Sequence, residues 1–226
     1  MSCGVLIAAA GQGKRMGLGK NKLFIEFEGK PVLIHTIEKF YNLSWISEII
    51  IVVNPEEQNI VKNLLKKYNL QVTHIVPGGK ERQDSIESGL SYIHSDYVMI
   101  HDGARPFIRS SVLNDLYKLV TKEDAVVLGV PVKDTIKTVD KTGTILTTPD
   151  RRSLWAIQTP QAFRLSIIKK AYQLAKETGF YGTDDSSLVE NIGLKVKVTL
   201  GDYDNIKITT KEDIKIAQTI FHHWSD

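Results

Sequence analysis

The 226-residue chain has one cysteine, Cys3, and no apolar run long enough to form a transmembrane helix. A single thiol forms neither an intrachain disulfide nor a thiolate metal cluster, which excludes a disulfide-stapled secreted scaffold. Spanning a bilayer requires about 20 consecutive apolar residues. The apolar residues 4–10 follow no basic segment, so they are interpreted as a buried strand rather than a signal-peptide core. These absences predict a cytoplasmic protein without a membrane segment.

The chain also lacks a concentrated charge of either sign. Its formal net charge is +3, with 29 lysines and arginines against 26 acidic residues spread along the sequence. This net charge is too small to indicate a nucleic-acid surface, so any recognition of anions has to be local. With 42% hydrophobic and 24% charged residues, the composition fits one sizeable α/β domain over residues 1–226.

Apolar, β-branched segments alternate with segments of helical periodicity along the first 130 residues. This alternation predicts an α/β fold with a mostly parallel sheet and helices on both faces. Ligands bind such sheets beyond the carboxyl ends of the strands, so the loops after Ala10, Val76 and Ile100 should meet at one edge. The predicted strands cover residues 5–10, 48–53, 72–76, 97–100 and 125–130.

The first predicted strand ends in a loop of glycines and basic residues. Gly11 and Gly13 allow backbone N–H groups to approach an anion closely, and Lys14 and Arg15 add positive charge. The spacing of a Walker A loop is missing, and Met16 stands where a dinucleotide fingerprint needs its third glycine. The loop therefore predicts a triphosphate site of another kind, with a plain strand-to-helix turn as the alternative.

A second loop, after residue 76, carries Gly78, Gly79 and Ser85 at the start of a predicted helix. Backbone donors and the Ser85 hydroxyl are suited to reading a base or a phosphate. An ordinary capped helix start explains the same residues equally well.

A third loop follows the strand that ends near residue 100. It begins with His101 and Asp102 and continues to Arg105. A carboxylate beside phosphates is repulsive unless a cation lies between them, so Asp102 suggests a bridging Mg²⁺. The alternative is an ion pair with Arg105 that braces the loop. His101 is interpreted as a packed residue at the end of the strand.

The pattern changes after Pro131, where two alternating segments flank a turn at residues 140–143. This is typical of a β-hairpin, and we expect an arm over about residues 131–155 that projects from the sheet. So small an arm has little core of its own, and packing on a second subunit would stabilise it, which predicts a homodimer. Trp155 and Phe163 are interpreted as core or interface anchors. No apolar periodicity explains Arg151, which makes it a candidate anion clamp.

Two segments near the end of the chain complete the set of candidates. Residues 183–187 are typical of a capped helix start. Residues 204–209 alternate so that a short strand would direct Lys207 to one side and its isoleucine neighbours to the other. A simple solvated lysine is the alternative.

Seven blocks, in order along essentially the whole chain, resemble the 2-C-methyl-D-erythritol 4-phosphate cytidylyltransferases, the CTP-using enzymes of the non-mevalonate isoprenoid pathway. Two departures are noted: Asn21-Lys22-Leu23 stands where many relatives have Pro-Lys-Gln, and Gly103 stands where alanine is common. The blocks are residues 8–16, residues 78–79 with Arg82 and Ser85, residues 101–106, residues 131–135, residues 154–155 with 159–161, residues 183–184, and residues 205–207.

The resemblance implies a Rossmann-like fold of the nucleotide-diphospho-sugar transferase type, with the hairpin as a dimer arm. It implies that Arg15 and Lys22 stabilise the transition state at the α-phosphate of CTP, while Arg151 and Lys207 hold the attacking phosphate. The nucleotide would be cradled by Ala9, Ala10, Gly11, Gly13, Gly78, Gly79, Ser85 and Gly103, and the sugar-phosphate side would be lined by Asp102, Arg105, Thr159 and Thr183. Asp102 is also the candidate ligand of Mg²⁺, for which another divalent cation could substitute.

Three other functions remain open at this point. A ribitol 5-phosphate cytidylyltransferase would share the fold and most of these motifs. A dehydrogenase is disfavoured by the missing dinucleotide fingerprint. A non-catalytic nucleotide-binding module is disfavoured because binding alone would tolerate the loss of one of the four basic residues Arg15, Lys22, Arg151 and Lys207.

Overall fold

The computed structural model describes residues 1–11 and 21–224. A seven-stranded sheet runs in the order β11-β7-β10-β6-β1-β4-β5. Its strands are β1 (Cys3–Ala9), β4 (Ile46–Val53), β5 (His74–Pro77), β6 (Tyr97–Asp102), β7 (Ala125–Pro131), β10 (Trp155–Arg164) and β11 (Lys197–Leu200). Two-stranded ladders are formed by β2 (Glu26–Phe27) with β3 (Lys30–Pro31), and by β8 (Thr138–Val139) with β9 (Ile145–Thr147).

Helices cover both faces of the large sheet, as predicted. Both faces are apolar because successive side chains of a strand point to opposite faces: in β1, Val5 and Ile7 belong to one apolar cluster and Leu6 to the other. The first cluster includes residues of α1 (Val32–Tyr41), α2 (Gln58–Lys67), α4 (Ser110–Glu123) and α7 (Lys211–His222); the second includes residues of α3 (Arg82–Leu90), α5 (Leu165–Thr178) and α6 (Asp185–Asn191).

Capping residues that are visible in the sequence lie at the ends of several of these helices. The Asp184 carboxylate accepts a hydrogen bond from the Ser187 N–H at 3.0 Å, which confirms the predicted capped start of α6. The Thr210 and Asp213 side chains cap the start of α7 reciprocally. Helix α5 ends at Gly179, whose φ of +68° favours glycine. None of the helices within residues 1–11 and 21–224 is long and apolar enough to cross a membrane.

The sequence patterns did not predict β10 as a strand. It lies between β6 and β7 and pairs antiparallel with both, while β1/β4, β1/β6, β4/β5 and β7/β11 are parallel. The prediction failed because β10 contains Pro160 and several polar residues, which is typical of a loop. Its polar side chains Gln158, Thr159 and Gln161 are buried nevertheless, because they bond to neighbouring segments.

Residues 204–209 form no strand, so that prediction was wrong. The segment follows β11 as irregular chain and is held by hydrogen bonds to other segments, for example from the Ile208 N–H to the Ala104 carbonyl at 2.9 Å. The predicted separation of its side chains still holds, because Ile208 is fully buried while the Lys207 side chain is 36% exposed.

The predicted hairpin is present in shorter form. Strands β8 and β9 pair antiparallel, and the Asp140 carboxylate accepts N–H bonds from Thr142 and Thr144 across the turn. Residues 133–148 are exposed throughout, and the apolar side chains of Val139, Ile145 and Leu146 are 54–62% exposed. In this chain the hairpin therefore buries little of its own apolar surface.

We expect Gly89→Ala to destabilise the protein. A Cβ at Gly89 would lie 2.6 Å from Val52 Cγ2 and closer still to Leu6 Cδ1, both in fully buried strand residues. Overpacking costs about 1–3 kcal/mol, which outweighs a helix-propensity gain of about 1 kcal/mol. Urea unfolding should therefore show a lower free energy of unfolding. Ser88→Ala in the same helix is the matched control, and an equally stable Gly89→Ala protein would contradict this packing.

Candidate active site

A cavity of about 590 Å³ lies at the carboxyl ends of β1, β4, β5 and β6. The loops predicted to meet at one edge of the sheet therefore do so over their described residues, which for the loop after Ala10 means Gly11. A cavity of this size accommodates a nucleotide. Its lining residues are Ala8, Ala10, Gly11, Lys22, Leu23, Asn54, Pro55, Gly78, Gly79, Lys80, Glu81, Arg82, Ser85, Asp102, Ala104, Lys207 and Thr209.

The loop between β5 and α3 requires both of its glycines. A Cβ at Gly78 would lie 2.9 Å from Ser85 Oγ and collide with Ala10, and a Cβ at Gly79 would collide with Asp84. The buried Ser85 hydroxyl accepts the Gly79 N–H at 3.0 Å and donates to the Glu81 carbonyl at 2.9 Å. Ser85 thus shapes the loop, and the two glycines leave this wall of the cavity open to a flat ligand.

Asp102, the last residue of β6, is surrounded by positive charge. Its Oδ2 lies 2.6 Å from Lys207 Nζ and 4.0 Å from Arg105 Nε, and its Oδ1 lies 3.6 Å from Arg82 Nε. Burial would raise the pKa of Asp102, but the charges of Lys207 and Arg82 outweigh it and hold this pKa well below its ordinary value. The Arg105 ion pair considered from the sequence exists, but it is the longest of the three.

Arg82 is anchored from behind by a buried carboxylate. Its Nη1 and Nη2 donate to the two oxygens of Asp185 at 2.9 and 2.7 Å, and the Tyr172 hydroxyl donates to Asp185 Oδ1 at 2.6 Å. Burial would lower the pKa of Arg82, whereas the charge and hydrogen bonds of Asp185 raise it, with a net rise. The bidentate contact fixes the plane of the guanidinium, so Arg82 presents its remaining N–H groups in a defined direction beside the cavity.

His101 orders a chain of buried hydrogen bonds behind Asp102. Its Nε2 lies 3.0 Å from the Arg105 carbonyl, which can only accept, so Nε2 carries the proton and Nδ1 is an acceptor. Thr159 Oγ1 lies 3.2 Å from Nδ1 and donates to it, while the same oxygen accepts the Asp102 N–H at 3.0 Å. Burial lowers the pKa of His101 to about 4, so the neutral ring holds this loop against β10.

The structure brings many of the predicted site residues together. Ala10, Gly11, Lys22, Gly78, Gly79, Ser85, Asp102 and Lys207 all line the cavity. Arg105 lies behind Asp102, where its Nη1 donates to the Asn205 carbonyl at 2.6 Å. Gly13 and Arg15 lie outside the described residues.

Five predicted residues lie elsewhere. Ala9 and Gly103 are buried in the scaffold, and the Gly103 N–H donates to the Ala8 carbonyl at 2.9 Å. The Thr159 hydroxyl is committed to His101 and Asp102, and Thr183 is exposed beside the start of α6. Arg151 is exposed in a short 3₁₀ helix after the hairpin, where its Nη1 donates to the Lys133 carbonyl at 2.9 Å. It does not enter the cavity of its own chain.

Asp102 is not a ready-made metal ligand in this arrangement. Within residues 1–11 and 21–224, no three His, Cys, Asp or Glu side chains gather as a metal site. The Asp102 carboxylate already faces Lys207 and Arg82, and a metal ion there would have to displace Lys207 from Oδ2. Binding of Mg²⁺ by Asp102 itself therefore stays a prediction that needs a rearrangement of this cluster.

The sequence patterns did not assign roles to several polar residues that build the site. Asp185 was visible only as part of a helix start, and Arg82 only as a letter in a motif. Gln161 was also given no role. It joins β10 to α6 by donating to Asp184 Oδ2 at 2.7 Å and accepting the Ser186 N–H at 2.9 Å. Asn205 bonds to Gln158 and to the Thr159 carbonyl. Their partners are 23–103 residues away, so no local spacing could have identified these contacts.

Comparisons with known proteins agree over nearly the whole chain. The sequence profile of the family described as IspD, 2-C-methyl-D-erythritol 4-phosphate cytidylyltransferase, matches residues 3–223. The enzyme of that name from Clostridioides difficile is 48% identical over 221 residues, covering 96% of this chain and 93% of the relative. The one from Bacillus licheniformis is 49% identical over 222 residues, covering 97% and 96%.

A solved structure shows the same fold. The 4-diphosphocytidyl-2C-methyl-D-erythritol synthase of Anaerococcus prevotii is 34% identical and superposes with a TM-score of 0.87, covering 98% of this chain and 96% of that one. The predicted Rossmann-like α/β fold is therefore confirmed.

Protonation of His101 should destabilise the folded protein in acid. Its pKa falls from an ordinary 6.5 to about 4 on folding, so the unfolded chain binds this proton more readily as the pH drops. The stability that His101 contributes is complete above pH 6.5 and is lost as the pH falls to about 4, amounting to about 3 kcal/mol. Urea unfolding between pH 7.5 and 4 should show this loss in the wild type and a smaller one in His101→Gln.

An NMR titration of the His101 ring gives an independent check if His101→Gln folds poorly. A ring that titrates near 6.5 in the folded wild type would contradict the burial and hydrogen bonding described.

Proposed function

The chain belongs to the 2-C-methyl-D-erythritol 4-phosphate cytidylyltransferase family, and from this membership we propose how its residues carry out the reaction. The chain is a nucleotidyltransferase that joins CTP and 2-C-methyl-D-erythritol 4-phosphate, giving 4-diphosphocytidyl-2-C-methyl-D-erythritol and pyrophosphate. The observation that best supports the proposed mechanism is the cluster of Lys207, Arg82 and Arg105 around Asp102, beside a nucleotide-sized cavity. This cluster is suited to receiving an anionic acceptor.

In the reaction an oxygen of the acceptor phosphate attacks the α-phosphorus of CTP. A new P–O bond forms, the bond from the α-phosphorus to the bridging oxygen breaks, and pyrophosphate leaves with that electron pair. A phosphate monoester has a second pKa of about 6, so it is already mostly a dianion near neutral pH and needs no general base. The barrier comes from bringing two anions together, and fixed positive charge and positioning lower it.

Lys207 is proposed to hold the acceptor phosphate. Its ammonium group is paired with Asp102 at 2.6 Å and is partly exposed at the cavity. An incoming dianion competes for this ammonium group, while Arg82 and Arg105 continue to neutralise Asp102. In the proposed site Lys207 therefore exchanges Asp102 for the phosphate as its counter-ion, and the buried Asp102 carboxylate does not lose all of its positive partners.

Lys22 is proposed to stabilise charge on the α-phosphate and the leaving group. It lines the cavity at the start of a 3₁₀ helix, Lys22–Phe24, whose first turn is capped by the Asn21 side chain accepting the Leu23 N–H at 3.1 Å. Arg15, which is not among the described residues, is proposed to act with it. The open wall at Gly78 and Gly79, with Ala10 and Gly11, is proposed to receive the nucleotide.

Mg²⁺ is proposed to arrive with the triphosphate of CTP. This cation keeps several waters and is commonly held by substrate phosphates with few protein carboxylates, and it neutralises phosphate charge. The pairing of Asp102 with Lys207 and Arg82 supports a metal carried mainly by the nucleotide.

The chain is proposed to act as one domain, residues 1–226, that pairs as a homodimer through the arm at about residues 131–155. The exposed apolar side chains of Val139, Ile145 and Leu146 support a partner surface there. Arg151 lies on this arm and not in its own cavity, which supports its action, with Lys207, on an acceptor phosphate in the partner's site. A cytoplasmic location is part of the same proposal.

The deciding assay measures pyrophosphate release from CTP and Mg²⁺ with 2-C-methyl-D-erythritol 4-phosphate, with ribitol 5-phosphate, and without an acceptor. Release only with the first acceptor is expected. Release only with ribitol 5-phosphate would move the chain to the other cytidylyltransferase class, which the relatives' names do not favour.

Alanine variants of Lys22 and Lys207 should separate two kinds of loss. Lys22→Ala should lower kcat by about 10²–10³-fold with a modest change in the KM for CTP, because its charge is needed mainly in the transition state. Lys207→Ala should raise the KM for the acceptor by about tenfold or more, the value of a lost charge-assisted hydrogen bond, and leave the KM for CTP nearly unchanged. Steady-state kinetics with each substrate varied would measure this, and a large loss of CTP affinity in Lys207→Ala would refute its assignment.

Sedimentation equilibrium should report a dimer, because a two-stranded hairpin with exposed apolar residues gains stability by packing on a partner. Replacing Val139, Ile145 and Leu146 together by serine should shift the protein towards monomer while the far-UV circular dichroism stays the same. A wild type that remains monomeric at all accessible concentrations would contradict the proposal.

A further inference from the structure

Lys207 lies on residues 201–209, called here the lysine segment, which has no regular secondary structure. No helix or strand ladder of its own therefore fixes the position of the Lys207 ammonium group. The position depends on bonds from other segments to this stretch, among them the bond from the Ile208 N–H to the Ala104 carbonyl and several bonds from side chains.

Arg109, immediately before α4, makes two of those bonds. Its Nε donates to Asp202 Oδ2 at 2.7 Å and its Nη2 donates to Asp204 Oδ2 at 3.1 Å. One guanidinium thus holds two carboxylates at the start of the lysine segment. Because the guanidinium is planar and its donors diverge, this contact sets the separation of the two carboxylates as well as their position.

The guanidinium also lies over an aromatic ring. It lies 4.3 Å from the centroid of the Trp224 ring, beyond the end of α7, and that ring also packs at 5.5 Å against Phe107. The Lys39 ammonium group is 4.7 Å from the same ring. Stacking on Trp224 restricts the rotamers of Arg109, so the clamp on Asp202 and Asp204 is pre-organised.

The clamped turn is connected to Lys207 by a short series of bonds. The Asp204 N–H donates to Asp202 Oδ1 at 2.9 Å, and the Asn205 N–H donates to the Asp202 carbonyl at 3.0 Å. Asn205 lies two residues before Lys207, and its carbonyl accepts a hydrogen bond from Arg105 Nη1 at 2.6 Å. Arg105 and Arg109 belong to the same loop after β6, so this loop holds both Asp102 and the segment that supplies the partner of Asp102.

We propose that Arg109 is a positioning residue for the acceptor phosphate: stacked on Trp224, it binds Asp202 and Asp204 and so holds Lys207 at Asp102, where the phosphate is received. The inference rests on the proposed role of Lys207. Arg109 itself touches no reacting atom. Losing the clamp leaves the Lys207 charge intact but lets the lysine segment sample positions in which the charge is misplaced.

Steady-state kinetics of Arg109→Ala test the proposal. The KM for 2-C-methyl-D-erythritol 4-phosphate should rise by about five- to twentyfold, while the KM for CTP changes by less than about twofold. Arg109→Lys should recover only part of the loss, because an ammonium group does not reproduce the fork between two carboxylates. An unchanged acceptor KM, or equal losses for both substrates, would overturn the proposal.

Arg164→Ala is the matched control. Arg164 also pairs with an aspartate at 2.7 Å, Asp124, and also lies near an aromatic ring, Tyr97 at 5.4 Å, but at the opposite end of β6 from Asp102. Its loss should leave both KM values unchanged. A similar rise in the acceptor KM would show that loss of any such ion pair has this effect, and would overturn a specific role for Arg109.

A triple variant separates positioning from charge. Removing Arg109 exposes two carboxylates that would repel a phosphate, and Asp202→Asn with Asp204→Asn removes that repulsion. If Arg109 acts by position, the combined variant Arg109→Ala/Asp202→Asn/Asp204→Asn keeps the raised acceptor KM. Recovery of the wild-type KM would show that Arg109 only neutralises charge and would overturn the proposal.

Chemical labelling of lysines tests the inference without relying on activity. The Lys207 side chain is 36% exposed and paired with Asp102, so its acetylation by an amine-reactive ester, followed by mass spectrometry, should be slow in the wild type. Arg109→Ala should increase the labelling rate of Lys207 and Arg164→Ala should not. Unchanged labelling would refute the clamp even if the enzyme is active, whereas increased labelling in a protein inactive with this acceptor would count against the proposed function alone.

Discussion

The candidate active site depends on the contact between the Asp102 carboxylate and the cations that surround it. Lys207, Arg82 and Arg105 come from three separate parts of the chain, and without a central anion their charges would repel one another. Asp102 is the end of β6, in the middle of the large sheet, so its position is determined by the core. The cluster stays ionised because the attraction of Lys207 and Arg82 outweighs the burial that would otherwise raise the pKa of Asp102.

Buried hydrogen bonds extend this rigidity outwards from the sheet. Asp185 fixes Arg82 from α6, and His101 joins the loop after β6 to Thr159 in β10. Each of these polar groups is satisfied by a partner, which makes the arrangement specific instead of merely compact. In the proposed reaction the acceptor phosphate then meets charges whose positions are already set, so little reorganisation accompanies its binding.

Sequence patterns were most reliable where the structure is local. The five predicted strands correspond to β1, β4, β5, β6 and β7, and the glycine pair before α3 lies in the cavity wall as expected. They failed at β10, whose Pro160 and polar residues are typical of a loop, and at residues 204–209, whose alternation imitates a strand. In both segments long-range hydrogen bonds satisfy the backbone and side chains, and these bonds override local propensity.

The order of apolar and polar residues was enough to predict a mostly parallel sheet covered by helices, and to place the chemically important loops at its carboxyl edge. The reason is that burial of alternating side chains depends on neighbours within a few residues. Local patterns did not reveal that Lys207 pairs with Asp102, that Arg82 is anchored by Asp185, or that Arg151 lies outside its own cavity. Those relations join residues 18–105 positions apart, and they exist only after the chain has folded and brought these segments together.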